Sequence, residues 1–535
     1  MEPGTIVASK RPSEDGLHPD ALSDSGRFRR HLAILLALHS VSILPFLGQV
    51  SLWNIDEGRI AEVAREMAAT GDWIVPRIGG EPFACYPPLP YWLMAISGSV
   101  LGFNEFSMRL PGALAGLVLI AWAAFMARRL AGNRAGLASA AVLMTLPGFT
   151  SQEILCRADV MLALFSTIAF DRFLVVAEGD RRARHLGVLY GAAALAILTK
   201  GPLGLALPGL GVLAWLAIHR RWRALWEVRP WIGIPAVLAI VSPWYLAAYC
   251  RAGPEFLRIN LLLENVHAFT SGFEHPRPWW SHAAWASYRL FPWIVFLPFA
   301  GRARRTPGFA VTLGWATAIF VLLTFSSSKR GSYLTYLCPA FAMSVGILLD
   351  ALWREAPERA RRPLVALGAL LAIAGLAASV APIQWKGSFA MLDGARTAAL
   401  LLVSAGGVAI LAVTRWRGAL AGTAALGMLL AIGVALEFAL LEPQLDVHGR
   451  QGVAFCRRVA AALPAGEKLA TPGDRELEGS YQFYLARTVP RRRKGPGYYL
   501  GVSAELEAFD PSSVRVLDQL TDERGRTRYY FRVER

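Results

Sequence analysis

The sequence predicts an all-α polytopic membrane protein with a small α+β domain at its C-terminal end. Three observations lead there. Of the 535 residues, 54% are hydrophobic, and the mean hydropathy is +0.39. A soluble chain of this length would divide into several domains and would not be so apolar. Apolar runs recur from His31 to Leu441, many of them long enough for a ~30 Å hydrocarbon core. Beyond residue 442 the runs stop and polar, alternating segments begin.

The formal net charge is +16. A basic balance can signal nucleic-acid binding, but here the arginines cluster between apolar runs. Membrane orientation accounts for them better, and no nucleic-acid partner is expected. Many of the 17 Trp and 14 Tyr fall near span ends, as in an aromatic belt. The five cysteines are scattered and contain no CxxC, so neither a zinc finger nor a disulfide framework can be read from them.

Residues 1–30 are polar and end in Arg27, Arg29 and Arg30; they read as a disordered cytoplasmic tail. The apolar run that follows starts too late for a cleavable signal. The first span is expected at 31–52. With the arginines inside, the stretch from Ser51 to Trp92 lies outside. It opens NIDEGR and continues IAEVAREMAATGDW. Ile60, Val63, Ala64 and Met67 follow the i, i+3, i+4, i+7 spacing of one helical stripe. This is a helix that can lie in the interface and present Asp56, Glu57 and Arg59 near its start. Asp56 could instead be only an N-cap. The run Pro88–Phe103 is about 16 residues, short for a span. Read as a second interfacial helix, it leaves Arg128, Arg129 and Arg134 cytoplasmic, which the positive-inside rule favours.

Basic loops then alternate with apolar runs, giving about thirteen spans. A long external loop falls at 251–282 and the C-terminus is outside. The division expected is a tail at 1–30, a transmembrane catalytic domain at 31–442 and an external domain at 443–535. In the last, SYQFYLAR, GYYLGVS and TRYYFRVER alternate like strands, and RQGVAFCRRVAAAL reads as a helix. The basic cluster Arg491–Lys494 reads as a solvated loop.

Cytoplasmic arginines alone fix this topology. It collects polar groups on the external face: Asp56, Glu57, Arg59 and Tyr86; Arg157 and Asp159 in RADVML; Lys200 in LTKGPLG; His267, Glu274 and His275; and Lys329, Arg330 and Tyr333 in SKRGSY. Asp159 and Lys200 adjoin apolar spans, where an unpaired charge is costly. Duller roles exist for each: an ion pair with Arg157, a snorkelling lysine, headgroup contacts. Together they suit group transfer from a lipid-linked phosphate. The leaving phosphate needs cations and donors such as Arg59, Lys200, Arg330 and Tyr333. The acceptor hydroxyl needs a carboxylate, Asp56 or Asp159. No P-loop, nucleotide-binding glycine motif or Ser-His-Asp pattern is present.

The ordered motifs DEGRIAEVAREM, PPLPYW, RADVML, LTKGP and SKRGSY resemble those of the GT-C glycosyltransferases over roughly residues 30–350. The nearest branch is the aminoarabinose transferases that modify lipid A, with the protein O-mannosyltransferases as wider relatives. The resemblance implies the GT-C fold, two juxtamembrane helices in the first external loop and an external active site in a bacterial-type inner membrane. It implies an inverting transfer from a polyprenyl-phosphate sugar to a glycolipid or protein acceptor. By matching position, Asp56 is the catalytic carboxylate, with Glu57 beside it and Asp159 in the second acidic motif. Arg59, Tyr86, Lys200, Lys329, Arg330 and Tyr333 fall at the donor-phosphate positions. His275 resembles a metal-holding histidine, and with Cys85 it could bind zinc. Tyr86 departs from the family, which usually has lysine there; a tyrosine donates a hydrogen bond but brings no charge. Two other classes fit a polytopic chain: a transporter or lipid flippase, and a non-catalytic lipid-binding homologue. A transporter usually shows repeats and a midplane site. This sequence shows no symmetric halves and places its charges at one face.

Overall fold

Apolar runs in lipid must satisfy their own backbone, which leaves the helix as the spanning unit. The structure, a computed structural model, describes residues 19–271, 276–306, 308–380, 393–437, 444, 446–472, 479–492, 495–507, 509–521 and 527–534. Among these, seven helices are long and apolar enough to cross a membrane: Glu105–Ala131, Asp159–Ala177, Pro230–Asn265, Gly331–Glu355, Pro357–Ser379, Leu400–Arg417 and Ala419–Leu436. Shorter apolar helices add Leu203–His219 and Phe309–Phe325. The chain is a multi-pass membrane protein. The first helix, Pro19–Ile43, begins inside the stretch expected to be a tail.

The centre of the bundle is Cys338–Glu355, where every residue from Cys338 to Leu352 is buried. Phe170, Trp293, Trp315 and Phe341 pack in the same core. Helices 357–379, 400–417 and 419–436 stand at the edge, with only 17–28% of their apolar windows buried in the protein. Leu370, Ile373, Val408 and Met428 are exposed there, as lipid-facing residues should be.

The first-loop helix is Ile55–Thr70. Asn54, not Asp56, is its N-cap: the Asn54 Oδ1 accepts from the Asp56 N–H at 3.1 Å. This frees the Asp56 side chain for other partners. Ile60, Val63, Ala64 and Met67 are all buried, as their spacing predicts. After Gly71, at φ 73°, a short hairpin pairs β1 (Arg77–Ile78) with β2 (Glu81–Pro82). The helix Leu89–Leu101 has 13 residues, about 20 Å at 1.5 Å each. It cannot cross the core and forms the second short helix of this loop.

The long loop expected at 251–282 is more helical than the sequence suggests among its described residues. Pro230–Leu257 is broken at Gly253 (φ 82°), and a π-type turn continues through Arg258–His267. At the C-terminal end, a four-stranded sheet has the order β3-β4-β6-β5 (Leu469–Ala470, Gly497–Val502, Thr527–Val533, Val514–Thr521). β3 runs parallel to β4, and the other pairs are antiparallel. Helix Val447–Ala462 covers it through Phe455, Cys456 and Val459 against Tyr481, Leu500 and Tyr530. SYQFYLAR, expected as a strand, is instead the helix Gly479–Leu485. Seven residues are too few for alternation to separate strand from helix. Here packing decides, because this helix lies directly on the first-loop helix.

Candidate active site

A cavity of about 430 Å³ opens where the first-loop helix meets the ends of several spans. Its wall combines polar side chains, Asp56, Arg59, Lys200, Arg330, Tyr333 and Tyr336, with apolar ones, Leu203, Ala206, Phe269, Leu322 and Leu323.

Two carboxylates organise the polar side chains. The Asp56 Oδ2 accepts from Arg157 Nη2 at 2.8 Å and from Arg330 Nη1 at 2.9 Å. The second carboxylate, Asp159, starts its spanning helix and is 4% exposed. Its Oδ1 accepts from Lys200 Nζ at 2.7 Å and from the Tyr336 hydroxyl. That hydroxyl also accepts from Lys200 at 2.7 Å, closing a three-membered network. Three rings surround the ammonium: Tyr86 at 5.1 Å, and Tyr333 and Tyr336 at 5.5 Å. Such contacts favour the cation. The Tyr86 ring thus faces Lys200 where the resemblance places another lysine. Burial pushes its phenol well above the ordinary value, so Tyr86 stays a neutral donor.

Of the expected site residues, Asp56, Arg59, Tyr86, Cys85, Lys200, Arg330 and Tyr333 line this one cavity, and Asp159 reaches it through Lys200 and Tyr336. Two do not line it. Glu57 is turned away and 2% exposed. It pairs with Arg109, whose Nε and Nη2 donate at 3.0 and 3.1 Å, and it accepts from the Cys156 N–H at 2.7 Å. Adjacent residues on a helix point about 100° apart, and the Arg109 and Cys156 bonds hold Glu57 on the side away from Asp56. Lys329 is 4% exposed, and its ammonium donates to the Ser326 carbonyl of its own turn. His275 lies outside the described residues, as do Glu274, Arg493 and Lys494.

Sequence reading missed Tyr336 and Arg109. Tyr336 stands three residues after Tyr333, the spacing that stacks the two rings 6.1 Å apart. Arg109 is a charge within an apolar run, which is itself a signal.

The arrangement can be set beside known proteins. Residues 86–246 match the dolichyl-phosphate-mannose-protein mannosyltransferase family. The chain is 31% identical over 325 residues to an undecaprenyl phosphate-alpha-4-amino-4-deoxy-L-arabinose arabinosyl transferase of Edwardsiella ictaluri (strain 93-146), covering 58% of this chain and 57% of that one. It is 30% identical over 364 residues to the protein of the same name in Pseudomonas paraeruginosa (strain DSM 24068 / PA7), covering 65% of each. The matched region therefore spans about three-fifths of these relatives. The crystal structure of ArnT from Cupriavidus metallidurans bound to undecaprenyl phosphate superposes with a TM-score of 0.78 at 24% identity, over 95% of this chain and 98% of that one. The fold is that of ArnT. A GT-C fold with a small C-terminal sheet domain thus joins the first-loop helix, the spans and the cavity in one architecture.

Within this GT-C fold the donor set near Cys85 can be tested for a metal. Zinc takes about four N, S or O ligands. Among the described residues no three His, Cys, Asp or Glu groups gather as ligands, so the described residues do not fit a zinc site.

Proposed function

We propose that the chain is an integral-membrane glycosyltransferase moving a sugar from a polyprenyl-phosphate donor to a glycolipid or protein acceptor at the external face. The observation that carries this reading is one cavity whose wall holds both a cluster of charged side chains and a set of apolar ones. A polyprenyl tail suits the wall of Leu203, Ala206, Leu322 and Leu323. Its phosphate suits Arg59, Lys200 and Arg330, with Tyr86, Tyr333 and Tyr336 as neutral donors. The relatives named above act with undecaprenyl phosphate and 4-amino-4-deoxy-L-arabinose, which makes an amino-sugar donor and a lipid A-like acceptor the first pair to try.

In this mechanism the acceptor oxygen attacks the anomeric carbon from the face opposite the phosphate. The bond from carbon to phosphate oxygen breaks, and polyprenyl phosphate leaves with the electron pair. The acceptor proton passes to the Asp56 carboxylate, and the configuration inverts. Arg157 and Arg330 aim that carboxylate. Lys200 and Arg59 stabilise charge growing on the phosphate, and Asp159 with Tyr336 holds Lys200 in place. Glu57 and Lys329 act from behind, the one by fixing the helix start and the other by tying down the turn that presents Arg330. The N-terminus faces the cytoplasm and the cavity the opposite side.

The test supplies purified protein with undecaprenyl-phosphate-linked aminoarabinose and lipid A and follows the acceptor by mass spectrometry. Wild type should add one sugar and Asp56→Asn none, with the variant keeping its thermal midpoint. Undiminished transfer by Asp56→Asn would remove Asp56 from the mechanism. An unaltered donor recovered on the far side of vesicles would make the protein a transporter.

A further inference from the structure

The backbone that leads into Asp56 is a short strap, residues 50–54, between the first membrane helix and the first-loop helix. Loops at a bilayer edge carry polar backbone groups that need partners. Here five of those groups in succession are bound by side chains from two distant parts of the chain. From the membrane side, Arg109 Nη1 donates to the Val50 carbonyl at 2.5 Å and Nη2 to the Ser51 carbonyl at 3.1 Å. From the outer side, the Ser51 N–H and Oγ both donate to the Asp446 carboxylate, at 2.7 and 2.6 Å. The Leu52 N–H donates to the Tyr484 hydroxyl at 2.7 Å, and the Ser480 hydroxyl donates to the Leu52 carbonyl at 2.8 Å.

The two grips meet. The Tyr484 hydroxyl also donates to Glu105 Oε1 at 2.9 Å, and Glu105 opens the helix that carries Arg109. Beyond the strap, the Trp53 ring packs against Tyr481 at 4.8 Å. The helices then touch backbone to backbone. A Cβ on Gly58 would stand 2.0 Å from Ser480 Oγ, and one on Gly479 would stand 2.6 Å from the Arg59 Cα. Ser480 and Tyr481 are 2% and 4% exposed, so this contact is dry and closely packed.

We propose that the C-terminal domain is a working part of the active site: Asp446, Ser480 and Tyr484 clamp the strap from outside, Arg109 holds it from the membrane side, and together they position the Asp56 carboxylate. This rests on the transfer reading given above. None of these four residues lines the cavity, so they are positioning residues. A misplacement of about 1 Å in a reacting group can cost on the order of a hundredfold in rate, which sets the scale of what the clamp protects.

The variants are Tyr484→Phe, which keeps the ring and removes the hydroxyl, and Ser480→Ala. In the full-length protein the expected result is a kcat lower by roughly ten- to a hundredfold, with donor KM unchanged, because the donor cations are untouched. A wild-type kcat in both variants overturns the proposal. So does a donor KM that rises as kcat falls, which would put the effect in donor binding; because an unfolded fraction lowers kcat alone, kcat is referred to the folded protein counted from its unfolding transition. Hydrogen–deuterium exchange supplies a readout independent of turnover. The amides of 51–58 should exchange faster in Tyr484→Phe, while those of 89–101 keep their wild-type rates. Equal exchange at 51–58 refutes the clamp whether or not transfer is seen. Failure of wild type to form a glycosidic bond, with exchange altered as expected, refutes the transfer reading alone.

Discussion

Arg109 uses all five of its guanidinium N–H groups: on Glu57 twice, and on the carbonyls of Leu47, Val50 and Ser51. A lysine has only three donors. Arg109→Lys keeps the charge but leaves at least two buried acceptors unserved, and should lower stability by about 1–3 kcal/mol per lost partner, read as a lower unfolding midpoint in detergent. Lys200→Met poses the harsher case. Asp159, at 4% exposure, would lose its cation, and breaking a buried pair costs about 3–5 kcal/mol. That variant should unfold earlier and lose transfer together. Asp56, Arg59, Lys200 and Arg330, each a charge beside an apolar run, line one cavity. Which charge answers which was not legible. Nothing in the order of residues says that Glu57 turns to Arg109 rather than into the cavity, because the sign of a charge does not encode its direction.

At the level of elements, the first-loop helix joins the end that carries Asp56 to a buried ionic face. Burial pushes the Glu62 carboxyl up to about 7, against the pull of Arg65, whose Nη2 stands 2.6 Å away. A carboxyl raised in the folded state binds its proton more tightly there than in the unfolded chain. Its contribution to stability is therefore complete below about pH 4.5 and lost as the pH rises to about 7. Glu62→Gln should flatten the dependence of the unfolding midpoint on pH across that window. The same helix crosses Gly479–Leu485 at Gly58, and Gly58→Ala should force the two apart at about 1–3 kcal/mol, visible as a lower midpoint. Its apolar stripe was legible because Ile60, Val63, Ala64 and Met67 keep the helical period over about two turns. The Gly479–Leu485 helix was not, because it is set by a glycine-to-backbone contact with residues more than 400 positions earlier.

For the whole molecule, sidedness is the strongest expectation. In a background with both Cys85 and Cys250 changed to serine, the other three cysteines being buried, a membrane-impermeant thiol reagent applied to intact inner-membrane spheroplasts should label Glu467→Cys and spare Arg223→Cys. The reverse pattern would place the cavity on the cytoplasmic side and end the proposal of a polyprenyl-phosphate donor used outside. The polytopic helical class and the terminal α+β unit were readable from hydropathy and from arginine placement, since both follow from the cost of putting charge into lipid. The relation between the terminal unit and the membrane part was not readable, because it rests on single side chains meeting one strap. That relation bears on biogenesis. Leu52 emerges from the ribosome early, yet its hydroxyl partner lies 432 residues further on. A nascent chain can thread all of its membrane helices and still lack a seated carboxylate. If the clamp works as proposed, the last segment to leave the ribosome is the one that completes the site, and stalled or clipped products should sit inert in the bilayer.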